Sequence, residues 1–365
     1  MHPLMQRALV LAQRGLTLTS PNPRVGCVIA TADGTLLGEG HTQRAGQAHA
    51  EVMALRDAAA RGNVVTGATA YVTLEPCAHH GRTGPCCEAL IAAGVKKVIA
   101  SLADPNPLVA GQGFARLRAA GIEVEEGPGA TQSRELNIGF FSRMVRRRPW
   151  VRLKVAASLD GRTALYNGNS RWITSDAART DGHAWRARAC TILTGIGTVL
   201  HDHPRLDVRL TETPRQPAVA IVDSTLQTPL DAPLFVADRA CCIYAAVQND
   251  ARKAALEERG ASVIYLPDGH GRVDLRALLT DLAHRQTNEL HVEAGARLNG
   301  ALIQAHLVDE YLVYLAPTIV GPGLDMAQFG PLTDLAQAHR LDFTSVERVG
   351  VDLRVLACTP GADRF

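Results

Sequence analysis

Two α/β domains in tandem are the fold this sequence predicts, and three observations predict it. Short apolar, β-branched runs alternate with segments of helical spacing along most of the 365 residues, the order that lays helices against the faces of a largely parallel sheet. That length is ample for two domains, each burying its own core. The alternation also starts afresh, with a new strand, after the basic run Arg146-Arg147-Arg148-Pro149. The boundary is placed there, giving domains 1–146 and 147–365. A run of like charge this short, at such a junction, reads as a solvated linker and not as a nucleic-acid patch.

In the first domain, residues 3–14 bring Leu4, Ala8, Leu11 and Ala12 to one helical face. Ser20-Pro21-Asn22-Pro23-Arg24 is a rigid loop, and 25–30 is a short strand of buried character. Asp33-Gly34 is a hairpin turn, and the chain returns through 36–41. A helix over 48–60, closed near Gly62, carries His49 and Glu51 in its first turn. Strand 68–74 leads into a cysteine-bearing loop, helix 85–93 ends at Gly94, and strand 95–101 follows. A segment at 111–120, a strand at 122–125 and one helix over 131–144 complete a three-layer α/β/α sandwich.

The second domain opens with strand 151–157 and the turn Ser158-Leu159-Asp160-Gly161-Arg162-Thr163. Helix 174–189, capped by Thr174 or Ser175, precedes strand 190–194, which runs into the glycine turn Gly195-Ile196-Gly197-Thr198. Further strands are expected at 218–223, 241–246, 263–266, 289–293 and 310–316, with helices at 251–259 and 275–284. A second glycine turn, Gly295-Ala296-Arg297-Leu298-Asn299-Gly300, opens a helix, and such a junction can hold phosphate on its backbone amides. Neither turn matches the dinucleotide fingerprint, since Leu200 occupies the third glycine position after Gly195 and Gly197, and there is no P-loop lysine pattern.

Composition narrows the function. Hydrophobic residues make up 46% and charged residues 20% of the chain, the balance of a globular protein. A formal charge of +2 with only 4% aromatic residues argues against a dedicated nucleic-acid surface. Eight cysteines, with Cys86-Cys87 and Cys241-Cys242 adjacent, are too sparse for a disulfide scaffold. A thiolate metal site suits a reducing compartment, so a cytoplasmic location is expected. Residues 1–15 lack the continuous apolar core of a signal peptide, and no stretch approaches a membrane span.

The stretch that carries chemistry is His49-Ala50-Glu51 followed by Pro76-Cys77 and Pro85-Cys86. One imidazole and two thiolates are good zinc ligands, and three protein ligands leave a position for water, as catalytic zinc sites do. Water bound there has its pKa drawn down to roughly 7, and the Glu51 carboxylate is placed to move its proton. Hydrolytic loss of ammonia from an amino-bearing ring carbon follows from those parts. Lone histidines and cysteines are usually core residues, but coincidence would have to supply H-x-E at a helix start and two Pro-Cys pairs after a strand. His79, His80 and Cys87 are rival ligands; Cys86 is preferred because it follows proline at a helix start, as Cys77 follows Pro76.

The H-x-E…P-C pattern resembles that of zinc-dependent base deaminases, although its two cysteines stand much farther apart than is usual among them. Over essentially the whole chain, the sequence resembles the bifunctional deaminase–reductase family of riboflavin biosynthesis. The first half carries this likeness in Pro21-Asn22-Pro23-Arg24-Val25-Gly26, His49-Ala50-Glu51 and Glu75-Pro76-Cys77 through Cys86. The long cysteine spacing is the usual one in that family; Gly84 stands where a second proline is expected. The second half carries it in Lys154 through Arg162, Ser170-Arg171-Trp172-Ile173-Thr174, Thr198 through Leu206, and Val292-Glu293-Ala294-Gly295. His203 replaces an acidic residue there and leaves Asp202 as the retained partner.

The resemblance implies a cytidine-deaminase-like first domain and a dihydrofolate-reductase-like second one. It implies zinc and NADPH as cofactors, and a phosphorylated pyrimidine that is first deaminated and then reduced at its ribose. Zinc would be held by His49, Cys77 and Cys86, with Glu51 catalytic. Ala156, Trp172, Thr198, Asp202, Ser224 and the loop Gly295, Ala296, Arg297, Leu298, Asn299, Gly300 and Ala301 would line the NADPH site. Ser170, Arg186, Leu206, Arg209 and Glu293 would hold substrate, the arginines suiting its phosphate. Lys154 is a candidate for proton delivery, and Asn22 and His41 for contacts to the base. A homodimer is expected from the same source.

Three other readings are weighed against this one. In a single-activity zinc deaminase the second half would only bind or oligomerise. A zinc-stabilised nucleic-acid-binding protein leaves Glu51 without a role, and a base-editing deaminase lacks a basic groove in the sequence.

Overall fold

Residues 2–79, 84–107 and 110–365 are described in the computed structural model, where the chain divides between Arg147 and Arg148 into two units. The first contains, in order, α1 (Pro3–Gln13), β1 (Gly26–Ala30), β2 (Leu36–His41), α2 (Ala50–Ala60), β3 (Thr69–Val72), α3 (Cys86–Ala92), β4 (Lys97–Ala100), α4 (Gln112–Ala119), β5 (Glu123–Glu126), α5 (Ala130–Leu136) and α6 (Ile138–Arg146). Its sheet runs β2-β1-β3-β4-β5. β1 is antiparallel to both β2 and β3, and β3, β4 and β5 are parallel.

Side chains alternate across this sheet, and each face takes helices. Val28, Tyr71 and Ile99 meet Met5, Ala8 and Leu11 of α1, whereas Gly38 and Gly40 of β2 turn toward α2. A Cβ on Gly38 would lie 2.4 Å from the Ala54 carbonyl oxygen, and one on Gly40 would lie 2.5 Å from the Met53 Cβ. Glycine is required at both because helix backbone and strand backbone touch there.

Two expectations change in this unit. His49 is the N-cap of α2, with φ −79° and ψ 172°, so only Glu51 lies within the first turn. The helix expected over 131–144 is two helices broken at Asn137. The buried Asn137 side chain accepts from Arg24 N at 2.7 Å and donates to the carbonyls of Arg24 and Ser133. Asparagine competes in this way for backbone groups that a continuous helix would use.

The second unit contains β6 (Trp150–Ser158), β7 (Arg162–Leu165), α7 (Asp176–Arg188), β8 (Thr191–Gly195), α8 (Ile196–Asp202), β9 (Ala218–Val222), β10 (Cys241–Ala245), α9 (Asp250–Glu258), β11 (Ala261–Tyr265), α10 (Leu275–His284), β12 (Glu289–Val292), α11 (Ala296–Gln304), β13 (Glu310–Ala316), β14 (Gly323–Asp325), β15 (Asp342–Val349) and β16 (Asp352–Cys358). A nine-stranded sheet runs β11-β10-β9-β8-β12-β6-β13-β16-β15, and β7 pairs with β14 in a separate ribbon. Strands from β11 to β13 are parallel; β16 and β15 add an antiparallel hairpin at one edge. Leu278, Leu279, Leu282, Leu302 and Ile303 of α10 and α11 cover one face. Val199 of α8 and Leu256 of α9 pack on the other, where Ala178 and Trp185 of α7 also lie. Ser175 caps α7, its hydroxyl accepting from Ala178 N.

The glycine turn after β8 is corrected to a helix. Gly195 is its N-cap and Gly197 lies inside it; glycine and β-branched residues are poor helix formers, and burial of Val199 holds the turn together. β7, β14, β15 and β16 are additions. β15 carries Phe343 and Val346 exposed at 75% and 57%, so no burial pattern marks it. Asp160, in the turn after β6, accepts from Ser158 Oγ and from the amides of Val320 and Gly321. Those bonds bring its carboxyl down to about 2.

Candidate active sites

In the first unit, three segments far apart in sequence deliver one cluster. α2 starts at His49, the loop after β3 carries Cys77, and α3 starts at Cys86. The His49 Nδ1 lies 3.6 Å from Cys77 Sγ and 3.4 Å from Cys86 Sγ, and all three ligand atoms lie within 4.8 Å of one another. Bonds of about 2.3 Å to sulfur and about 2.1 Å to nitrogen at tetrahedral angles separate the two atoms by about 3.6 Å, so the donors fit zinc. The Cys86 amide at the start of α3 donates to Cys77 Sγ at 3.4 Å, as suits a thiolate at a helix N-terminus. The neighbouring Cys86 thiol, that amide and His49 bring the Cys77 thiol down to about 4, while the shared proton leaves Cys86 high. Cys87, fully buried, is outside the cluster. His79 is likewise outside it, and His80 lies outside the described residues.

Glu51 is 3% exposed. Burial, with Cys77 nearby, raises its carboxyl to about 7, a value at which one group can both take and return a proton near neutral pH. Glu75, just before the first cysteine, does something different. Its Oε1 accepts from Gly113 N and Phe114 N at 2.8 and 3.2 Å, and its Oε2 from Asp104 N and Gly111 N at 3.0 and 2.9 Å. It ties the loop after β4 and the first turn of α4 to the loop that presents Cys77. Asn22 lies in a turn closed by Thr19, and the His41 Nδ1 lies 3.1 Å from Thr42 O.

In the second unit, the expected residues collect at the C-terminal ends of four adjacent parallel strands, where open α/β sheets bind ligands. Ser224 follows β9, Thr198 follows β8, Glu293 and Gly295 follow β12, and Ala156 lies near the end of β6. A Cβ on Gly295 would stand 3.9 Å from Thr198 Oγ1, and one on Gly195 would stand 3.5 Å from Leu298, so the two helix starts are neighbours. Within α11, Ala296 lies in its first turn and Arg297 and Ala301 are exposed. Asn299 and Gly300 face inward instead: Asn299 Nδ2 donates to Met326 O, and Gly300 packs on the Gln328 backbone. Trp172 is 67% exposed and stacked by Arg179 at 4.4 Å. Arg171 of that segment donates to the carbonyl of Asp202, and Ser170 is half-buried.

Glu293 is the centre of the charged groups. Arg186 of α7 grips it with two parallel bonds, Nη2 to Oε2 at 2.9 Å and Nε to Oε1, and Lys154 Nζ lies 3.9 Å from Oε2. Burial would raise this carboxyl, but Arg186 and Lys154 hold it well below the usual range. Burial pulls Lys154 down from its ordinary value, against the pull of Glu293. His291, on the same face of β12, is fully buried, with its Nε2 3.6 Å from Glu293 Oε1; burial pushes it down to about 3. Arg186 also donates to Asp207 O at 3.0 Å, and Arg209 pairs with the Asp207 carboxylate at 2.6 Å. Leu206 is buried at a φ of 49°.

Comparison with known proteins gives both units a family. Residues 1–102 match the cytidine and deoxycytidylate deaminase zinc-binding region, and residues 149–355 match the RibD C-terminal domain. The riboflavin biosynthesis protein RibD of Escherichia coli (strain K12) is 45% identical over 361 residues, 96% of each chain. The chain belongs to the RibD family. It is therefore a bifunctional riboflavin-biosynthesis protein, a zinc-binding deaminase joined to an NADPH-using reductase. The RibD structure from Acinetobacter baumannii matches at a TM-score of 0.88, with 42% identity and 97% of each chain covered. A deaminase/reductase structure from Thermotoga maritima matches at 0.85, with 32% identity and 98% of this chain covered.

One group in the deaminase unit of this RibD-family chain escaped the sequence reading. Asp104 is 8% exposed, and burial, with Glu75 and Cys77 nearby, raises its carboxyl to about 7. The signal for it was Asp104-Pro105-Asn106-Pro107 after β4, the parallel neighbour of the strand leading to Cys77. No helix among the described residues is long and apolar enough to cross a membrane.

Proposed function

We propose that this chain carries out two consecutive steps on one phosphorylated pyrimidine, with the residue roles that follow. The first converts 2,5-diamino-6-(5-phosphoribosylamino)pyrimidin-4(3H)-one to 5-amino-6-(5-phosphoribosylamino)uracil. The second reduces the ribose to a ribityl chain. The Thermotoga maritima relative is described as a deaminase and reductase of these compounds. The observation that carries the first step is the open His49, Cys77, Cys86 ligand set with buried Glu51 beside it.

His49, Cys77 and Cys86 hold zinc, which when bound activates water for attack on the ring carbon. The buried Glu51 carboxylate would carry a proton from the attacking water to the departing amino nitrogen, so that ammonia leaves. Asp104, buried and near enough to Cys77 to feel its charge, is assigned to hold the ring. In the second unit NADPH supplies the hydride. Glu293, fixed by Arg186, orients the ribose end, and the Lys154 ammonium gives a proton to the sugar oxygen released on reduction. Arg209 receives the phosphate; Arg186, engaged by Glu293 and Asp207 O, acts by fixing those two.

A homodimer and a cytoplasmic location belong to the same proposal. Phe343, Val346 and Leu353 on the β15–β16 hairpin, exposed at the sheet edge, support the first. Cysteines not joined in disulfides, among them Cys27, Cys241 and Cys242, support the second. The test is stepwise turnover: ammonia release from the diamino substrate, then NADPH oxidation when cofactor is added. Ammonia without NADPH loss would leave the second unit a binding domain.

A further inference from the structure

The segment between α8 and β9 has no regular structure from Pro204 to Leu210, yet six of its backbone polar groups are held by side chains from elsewhere. Arg239 donates to the carbonyls of Arg205 at 2.9 Å and Leu206 at 3.1 Å. Arg186 takes the Asp207 carbonyl at 3.0 Å. Gln216 takes both groups of Val208, accepting from its amide at 2.7 Å and donating to its carbonyl at 2.9 Å. His183 Nδ1 accepts from the Arg209 amide at 3.2 Å. A strand or helix would satisfy such groups by itself; here four side chains from three places in the chain do so.

What this fixed backbone presents is charge. Arg205 and Arg209 reach outward, exposed at 63% and 45%, and both lie on the single carboxylate of Asp207, at 2.8 and 2.6 Å. Behind them Arg239 is 7% exposed, and no carboxylate of the described residues pairs with it. Two exposed guanidinium groups thus share one carboxylate, with a third that has none buried behind them. Such an excess, on a backbone that needs no rearrangement, is a cradle for a doubly charged anion.

We propose that Arg239 and Gln216 are positioning residues that set the reductase's preference for a phosphorylated substrate, by holding the 205–209 loop so that Arg205 and Arg209 close on the phosphate. This rests on the reading that Arg209 receives that phosphate. Neither positioning side chain touches substrate. Each acts through the carbonyls and amides of the loop.

The experiment uses the full chain with saturating NADPH and two forms of the deaminated substrate, with and without its terminal phosphate. Gln216→Ala and Arg239→Met are each expected to lower the preference in kcat/KM for the phosphorylated form roughly tenfold. The change should appear in KM for that form, with kcat for it little altered. Equal losses on both substrates, or an unchanged preference, would overturn the inference. Should Arg239→Met fail to accumulate as folded protein, Gln216→Ala decides alone, since Gln216 lies at the surface. Arg209→Ala tests the underlying reading separately. If it leaves the preference intact, the phosphate is bound elsewhere; if it removes the preference while both other variants keep it, only the positioning role fails.

Discussion

Glu75→Gln is a change of one atom in the deaminase unit, and its cost can be worked from the four bonds at that carboxylate. Glu75 is 3% exposed, and each of its oxygens accepts two backbone amides. Glutamine keeps one acceptor oxygen and turns an amino group toward the other two N–H donors. Hydrogen bonds to a charged group contribute about 1.5–3 kcal/mol each, and buried donors left unmet cost a similar amount. Losing two of the four, and weakening the rest, should destabilise the unit by about 3 kcal/mol or more. For a unit of this size that is a fall in Tm of roughly 6–12 °C. Because two of the lost or kept donors, Gly113 and Phe114, open α4, that helix should loosen together with the Cys77 loop. Calorimetry of the zinc-loaded full chain, with zinc content measured alongside, reads both effects. A Tm within about 2 °C of the parent would refute the reasoning, because four such bonds could not then be stabilising the fold.

Glu51→Gln should keep zinc and the reductase step but slow deamination by roughly 10²–10⁴, measured as ammonia release; undiminished release removes Glu51 from the chemistry. Cys86→Ser should lose zinc while Cys87→Ser keeps it, read by metal analysis of the purified proteins, because Cys86, unlike Cys87, faces His49. Acid should destabilise the reductase unit. Burial sets His183 at about 4 and His291 at about 3, so the unfolded chain takes up protons first, near the ordinary value of roughly 6.5. Stability is therefore complete above that pH and is lost as pH falls, through about 4 for His183 and about 3 for His291. Urea unfolding at several pH values should show a shallower loss for His291→Leu, and an unchanged slope would count against a neutral buried imidazole.

The zinc cluster was legible because each ligand sits beside a punctuating signal, His49 at a helix start and each cysteine after a proline. Position within the element was less legible: nothing in Ala48-His49-Ala50 marks which residue ends its extended backbone and becomes the cap. Asn137 was hidden for a related reason, since its break depends on Arg24, distant in sequence. In the second unit the parallel strands could be read from their apolar runs. β15 could not, because a strand exposed on both faces leaves no alternation to find. The family resemblance, not the residue pattern, offered Arg186 as a substrate ligand suited to phosphate, since an arginine on a helix is by itself an ordinary solvated charge. Only the fold brings Glu293 against it and shows the guanidinium already engaged.

The bare glycines of β2 have a consequence for how the deaminase centre could vary. Most helices ride on a cushion of side chains, and a change of one methylene can be absorbed by repacking. At Gly38 and Gly40 α2 rests directly on strand main chain, so its height above the sheet is set by covalent geometry, like a part seated on a machined stop. The same helix carries Glu51 and begins at His49. Any side chain added at either glycine must lift α2, and with it the proton carrier and one metal ligand move together away from Cys77. Tolerance at these two positions should therefore track zinc retention more closely than it tracks hydrophobicity or size.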